Sequence, residues 1–185
     1  MFMTTMAAPQ NVHTNFKQGH EGEATAAAWL KQNGWLCFNV SRSDYYRKKD
    51  IDLFCFKSAD GERQIAKIEV KNDNFAHKSG NLVFETVSNT SKDTLGWTLY
   101  SEADYFLIVS GPLMYIIPGK ETVEWFSSNY DRFREITVPT VFNDGEKTRY
   151  FAKARLVPQS TFDEEVGIIE VVDLREMGLY PAQAS

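Results

Sequence analysis

Two runs of alternating side chains, Ile51-Asp52-Leu53-Phe54-Cys55-Phe56-Lys57 and Ala66-Lys67-Ile68-Glu69-Val70-Lys71, flank Asp60-Gly61. A period of two marks a half-buried strand, and Asp-Gly between two such arms favours a two-residue hairpin turn. With Asp60 and Gly61 as the central pair, facing positions sum to 121, so Asp52 is expected opposite Glu69 and Asp50 opposite Lys71. Alternation then puts Ile51, Leu53, Cys55, Ala66, Ile68 and Val70 on an apolar face, and Asp52, Glu69 and Lys71 on a charged one. Opposed acids whose Cβ atoms lie about 4.5–5.5 Å apart destabilise an antiparallel pair. The charged face is therefore either a solvated edge or a place where a divalent cation removes the repulsion.

Upstream, the pattern predicts a helix over 15–33, stopped by Gly34. Its apolar stripe is narrow: Phe16, Ala27 and Leu30 align with Glu23, which falls about 20° from Leu30, whereas Glu21 points away. Glu23 is either a boundary residue or local cap, or an acid that reaches the hairpin. A strand over 35–40, a polar basic loop over 41–49 and the hairpin give three antiparallel-capable strands. Further strands are expected at 82–87, 105–110 and 113–117, the last two joined by Gly111-Pro112, with a polar loop able to approach a ligand at 88–95. A second helix is expected over 121–133, and strands over 136–142 and 150–157 around Asn143-Asp144-Gly145. The acidic segment 163–176 fits helix and strand equally. This order indicates an α+β or mixed α/β fold, a central mixed sheet flanked by helices.

At 185 residues, 43% hydrophobic and 24% charged, the chain is long enough for one well-buried core and expected to be a single domain overall. Cys37 and Cys55 sit in apolar strand-like runs without metal-ligand spacing, so they read as reduced core residues in a cytoplasmic protein. Neither a signal peptide nor a membrane span is expected. The net charge of −5 is uneven: residues 1–100 carry 12 Lys and Arg against 11 Asp and Glu, the remainder 8 against 14. Arg42, Arg47, Lys48 and Lys49 lead into the hairpin and Lys78 follows it, a set able to contact a phosphate backbone near the carboxylates, or simply to solubilise.

Helix with Gly22-Glu23, then Asp52 at a strand start, then Glu69-Val70-Lys71 at the end of the next, resembles the PD-(D/E)XK nuclease superfamily. The match spans 17–110. Within it, Gly80-Asn81-Leu82-Val83-Phe84-Glu85 followed by Ser101-Glu102-Ala103-Asp104-Tyr105 is similar to phage and prophage members. Ile51 replaces the proline of the name, and Ser91-Lys92-Asp93-Thr94-Leu95-Gly96-Trp97 stands where a Gly-Lys-Pro-Ser-Gly type of stretch is expected. The resemblance implies a restriction-endonuclease-like αβββαβ core, expected over 15–117; a flexible tail at 1–14 and an extension at 118–185 packed on that core are expected around it, the segment after Ser110 carrying no resemblance of its own. It implies Mg2+, with Mn2+ expected to substitute, bound by Asp52 and Glu69. Glu23 would complete or orient the metal's water shell, and Lys71 would assist the nucleophile. Phosphodiester hydrolysis needs an activated water and stabilised phosphoryl charge, which carboxylate-held Mg2+ and a lysine ammonium supply.

The expected activity is endonucleolytic cleavage of DNA, with selectivity for DNA structure and action as a homodimer left open; the alternatives are a silent binding or assembly protein of the same fold, or action on RNA. Glu85 faces either the site or solvent. Asp50 is a rival metal ligand, but at the mouth of the strand beside Lys48 and Lys49 it is favoured as a structural ion pair, and its opposition to Lys71 would also suit a simple charge pair. His13, His20 and His77 show no metal-binding pattern and read as surface residues, although His20 lies one turn before Glu23. Tyr45 and Tyr46 pack on the sheet edge or stack on unpaired bases.

Overall fold

The computed structural model describes the backbone of residues 10–59, 61–141 and 149–180, and the side chains of 21–58, 61–139 and 150–180. Asp60, the turn at 143–145, residues 1–9 and the His20 side chain lie outside the described residues. In chain order the elements are β1 (Gln10–Asn11), α1 (Val12–Gln32), β2 (Leu36–Asn39), α2 (Asp44–Arg47), β3 (Leu53–Ala59), β4 (Glu62–Asn72), α3 (Ala76–Ser79), β5 (Asn81–Asn89) and β6 (Thr94–Leu95). A 3-10 turn at Trp97–Leu99 leads to β7 (Tyr105–Ser110), β8 (Leu113–Pro118) and α4 (Gly119–Asn129). A second 3-10 turn at Tyr130–Arg132 precedes β9 (Arg134–Val141), β10 (Arg149–Pro158), α5 (Gln159–Glu165) and β11 (Glu170–Asp173).

The strands form two sheets. One is six-stranded in the order β11-β8-β7-β4-β3-β2, with β4 and β7 parallel and every other neighbour antiparallel. The other, β1-β9-β10-β5-β6, has five strands. Because β7 and β8 are covered on both faces, their residues are apolar on both. Phe106, Ile108, Tyr115 and Ile117 enter a cluster shared with Leu82 and Phe84 of β5, Val157 of β10, Phe126 of α4 and Phe162 of α5. Leu107, Met114 and Ile116 face the opposite way and join Ala26 and Leu30 of α1. A parallel β4–β7 pair needs a crossover. Here the crossover is only partly helical: it consists of α3, β5, β6 and the 3-10 turn, and it delivers two strands to the second sheet.

The hairpin register is the expected one. Leu53↔Ile68 through Ala59↔Glu62 all sum to 121, and Gly61 takes φ +81°, the left-handed conformation that a tight turn requires. The regular ladder, however, ends at Leu53↔Ile68. Asp50 adopts φ +54°, and the Asp52 amide donates to the Ile68 carbonyl 2.9 Å away. Alternation therefore fails upstream of Leu53. Ile51, expected beside Leu53, is buried instead in the opposite cluster with Phe106 and Trp97.

Other boundaries differ modestly. The segment at 163–176 comprises the end of α5 followed by β11, so it is both helix and strand, and 88–95 holds the end of β5 and β6. The cysteines are a correction. Cys37 and Cys55 lie directly across the β2–β3 ladder with Cα atoms 4.1 Å apart and are joined as a disulfide. Their separate apolar runs gave no sign of this, because the pairing comes from strand register rather than from sequence spacing. Among the described residues, no helix is long and apolar enough to cross a membrane.

Candidate active site

Glu69 occupies the central strand β4, opposite Phe106 of β7, on the face that looks into the cluster between the two sheets. That position buries it to 4% exposure. Its Oε1 lies 2.6 Å from Lys71 Nζ, and its Oε2 is buried with no hydrogen-bond partner among the described residues. Lys71 Nζ also reaches Asp50 Oδ2 at 3.2 Å and sits 5.2 Å from the centre of the Trp97 ring. Two carboxylates and an aromatic face thus hold one ammonium. Asp50 thus forms with Lys71 the charge pair that its opposition to that residue would suit.

Asp52 stands at the point where the ladder ends. Its Oδ2 accepts the Val70 amide at 3.0 Å, replacing a backbone partner that β3 no longer provides. Burial pushes its carboxyl up, against the pull of the Val70 hydrogen bond and of Lys71, and the nearby charges of Glu23 and Asp50 add to the rise. Burial likewise pushes Glu69 well up despite Lys71, with Asp50 and Asp52 contributing. Burial works to lower Lys71, but the Glu69 and Asp50 carboxylates outweigh it and raise the ammonium above its ordinary value. Asp50 is the common electrostatic neighbour of Glu69, Asp52, Lys71 and Glu85.

Glu23 approaches from α1. Its Oε2 accepts from Asn39 Nδ2 at 2.7 Å, and it is close enough to Asp52 to raise that residue's pKa, whereas Glu21 is exposed. The preceding Gly22 makes the approach feasible: a Cβ there would stand 2.4 Å from the Asn72 side chain of β4. Glu85, half-buried on β5, is pushed up by burial and feels Lys71 and Asp50. It therefore belongs to the cluster rather than to a purely solvated edge.

Sequence reasoning missed Trp97 and Tyr100. Burial raises the Tyr100 hydroxyl, helped by Asp50, Glu69 and Glu85, so the phenol borders the same acids. Nothing local marks either residue; the crossover alone brings them here. Asp73 was also missed. It is 8% exposed, and its oxygens accept the amides of Phe75, Ala76 and Val83 at 2.9, 3.0 and 3.2 Å, which fixes the start of the crossover beside Lys71.

The cationic residues disperse. Arg47 pairs with Asp44 on α2 at 2.7 Å, and Lys49 pairs closely with Glu102 while lying over the Tyr45 ring. Arg42 and Lys48 are exposed in the same segment. Lys78 is exposed on α3, and His77 beside it is committed to Ser110 Oγ at 2.9 Å.

Among the described residues, no group of three or more His, Cys, Asp or Glu side chains is arranged to hold a metal ion. The donor set nevertheless suits a hard divalent cation. Its carboxylate oxygens are the ligand type Mg2+ prefers, one of them is buried without a hydrogen-bond partner among the described residues, and Asp52, Glu69 and Glu85 are all pushed up chiefly by burial, with neighbouring carboxylates adding to the rise. No protein-family model, no curated protein and no solved structure matches this chain.

Proposed function

We propose that this protein is a Mg2+-dependent endonuclease that hydrolyses DNA phosphodiester bonds. The observation that carries the reading is the buried Glu69 Oε2, without a hydrogen-bond partner among the described residues, beside Lys71 and Asp52. An orphaned carboxylate oxygen in a cluster of acids is costly unless a ligand completes it. Asp52 and Glu69 would hold the cation, with Glu23 and Glu85 near its water shell. When bound, Mg2+ supplies charge neutralisation at the phosphate and lowers the pKa of a water. Lys71 contributes a point charge on its own: its ammonium, kept protonated by Glu69 and Asp50, holds a phosphate oxygen or the attacking water. The Trp97 ring shields one side of that ammonium from solvent. A cytoplasmic location belongs to the same proposal, although the Cys37–Cys55 bond favours a more oxidising setting.

The test is a cleavage assay on matched linear, flapped and four-way DNA with Mg2+ or Mn2+, with RNA as a further arm. Asp52→Ala and Glu69→Ala should abolish cutting and leave the fold intact. No cleavage of any substrate by the wild-type protein removes the reading.

One observation favours a second reading, a binding or assembly protein of the same fold without chemistry: the Lys71 ammonium already pairs with both Glu69 and Asp50 and offsets part of their charge. Calorimetric titration with Mg2+ separates the two, since the silent protein has no need of a cation.

A further inference from the structure

The face of the sheet that carries Glu69 continues along the strands as a surface of exposed rings. In β4, Glu69, Lys67 and Ile65 share this face by alternation. Lys67 pairs with Phe54, which pairs with Phe38. Ile65 pairs with Phe56, which pairs with Leu36. Phe38 and Phe56 stack with centroids 5.8 Å apart and planes 23° from parallel. Phe54 touches Tyr46 at 6.1 Å, and Tyr46 touches Tyr45 at 5.2 Å. Leu36, Phe38, Tyr45 and Ile65 are each more than half exposed. The chain leaves large apolar side chains in water along one line, and that line leads to the carboxylates.

We propose that this surface is a stacking platform for unpaired bases, so that the substrate is single-stranded or flapped DNA lying along β2 and β3 with its backbone directed towards Lys71 and Glu69. The proposal rests on the nuclease reading for the fate of the strand, but not for its binding. Two features favour a nucleic acid over a second protein surface. The first is chemistry: the Tyr45 and Tyr46 rings lie on a segment that also carries exposed Arg42 and Lys48, and rings beside cations suit bases and phosphates together. The second is continuity: Phe54 pairs with Lys67, which lies two residues from Glu69 on β4, so a strand on the rings is already close to the Glu69–Lys71 pair. Duplex DNA offers no base faces to such rings, which sets the selectivity.

The measurement is fluorescence anisotropy in EDTA, which prevents cleavage, using a fluorescein-labelled oligothymidylate and a blunt mixed-sequence duplex as probes. The single strand should bind more tightly than the duplex. Phe38→Ala and Tyr45→Ala should each weaken it roughly 5- to 150-fold, the loss expected for one stacked base, and Phe38→Leu should not restore it. Both residues are more than half exposed, and thermal melts check that the variants fold. Equal affinity for both probes, indifference to the ring substitutions, or rescue by leucine overturns the platform. So does a dimer, seen by sedimentation, that dissociates in Phe38→Ala while oligonucleotide binding stays unchanged, because the rings then serve a second copy of the chain. Ring-dependent binding without cleavage removes only the nuclease reading, whereas cleavage indifferent to the rings removes only the platform.

Discussion

Glu69 and Lys71, two residues apart on one strand, meet at 2.6 Å through Glu69 Oε1, while Glu69 Oε2 faces no donor among the described residues. A carboxylate with one oxygen paired and the other buried bare is not an arrangement that folding alone favours. A hydrophobic pair of similar volume is commonly as stable as a buried ion pair, or more so. The lone oxygen is what a ligand would complete. Under the proposed function, the stability and activity of this cluster would both depend on a bound cation.

Removing either partner should separate the structural role from the chemical one. Lys71→Ala leaves Glu69 and Asp50 without their shared cation and should cost about 3 kcal/mol at neutral pH, read as a lower urea midpoint. Glu69→Gln keeps the volume and removes the charge, so its midpoint should stay near wild type while cation-dependent cleavage falls about 100-fold or more. Full activity in Glu69→Gln would remove Glu69 from the site.

Stability should fall as pH rises, unless a cation is present. Asp52, Glu69 and Glu85 have folded-state pKa values raised by burial. Their stabilising contribution is complete below the unfolded carboxyl values of about 4 and is lost as pH climbs through the raised folded values. Lys71, also raised, contributes fully everywhere below about 10.5 and so does not vary across that window. Glu165, paired with Arg132, and Asp173, paired with Arg175, are lowered to about 2. They act in the other direction, losing their contribution only in strong acid; Glu165 is exposed and Asp173 half-buried, and salt screens both at the surface. The melting temperature in EDTA should therefore decline from mildly acidic towards alkaline pH, and Ca2+ should cancel the decline. A Ca2+ shift that is absent, or equal at every pH, contradicts a carboxylate-held cation.

The hairpin was legible because its information is local. Asp-Gly and two alternating arms fix the register, and helical phase separates half-buried Glu23 from exposed Glu21. What failed was alternation carried past the end of the ladder. The left-handed Asp50 sends Ile51 to the other core and turns Asp52 onto the Val70 amide, and no pattern of period two contains such a break. Trp97, Tyr100 and the Cys37–Cys55 bond were hidden for a related reason: each depends on which strands become neighbours. The second sheet pairs β5 with β10, which lies far later in the chain, so its contacts have no local signature.

Gly22 is the test of how α1 is seated. A methyl group there would fall 2.4 Å from the Asn72 side chain, whose own branch point lies at 2.7 Å, so rotation of the amide alone does not clear it. Gly22→Ala should gain helix propensity of about 1 kcal/mol yet lose about 1–3 kcal/mol to overpacking, for a net destabilisation. It should also displace Glu23 from Asn39 and weaken cation binding, measured by Ca2+ titration. A more stable variant would mean that α1 does not press on β4 as described.

Asp50 and Asp52 make different uses of the same charge, and substitution by asparagine distinguishes them. Asp52 has one oxygen engaged with the Val70 amide, a donor that the carbonyl of an asparagine side chain can still satisfy, so Asp52→Asn should fold normally and lose cation-dependent cleavage about 100-fold or more. Asp50 is bound to Lys71 and sits at φ +54°, a conformation that asparagine tolerates and alanine resists by about 1 kcal/mol. Asp50→Asn removes one of the two carboxylates that hold the Lys71 ammonium up. It should lower the pH at which activity falls on the alkaline side, while Ca2+ affinity changes less than in Asp52→Asn. If Asp50→Asn instead abolishes Ca2+ binding and Asp52→Asn spares it, Asp50 is the ligand and Asp52 is the residue that caps the end of the ladder.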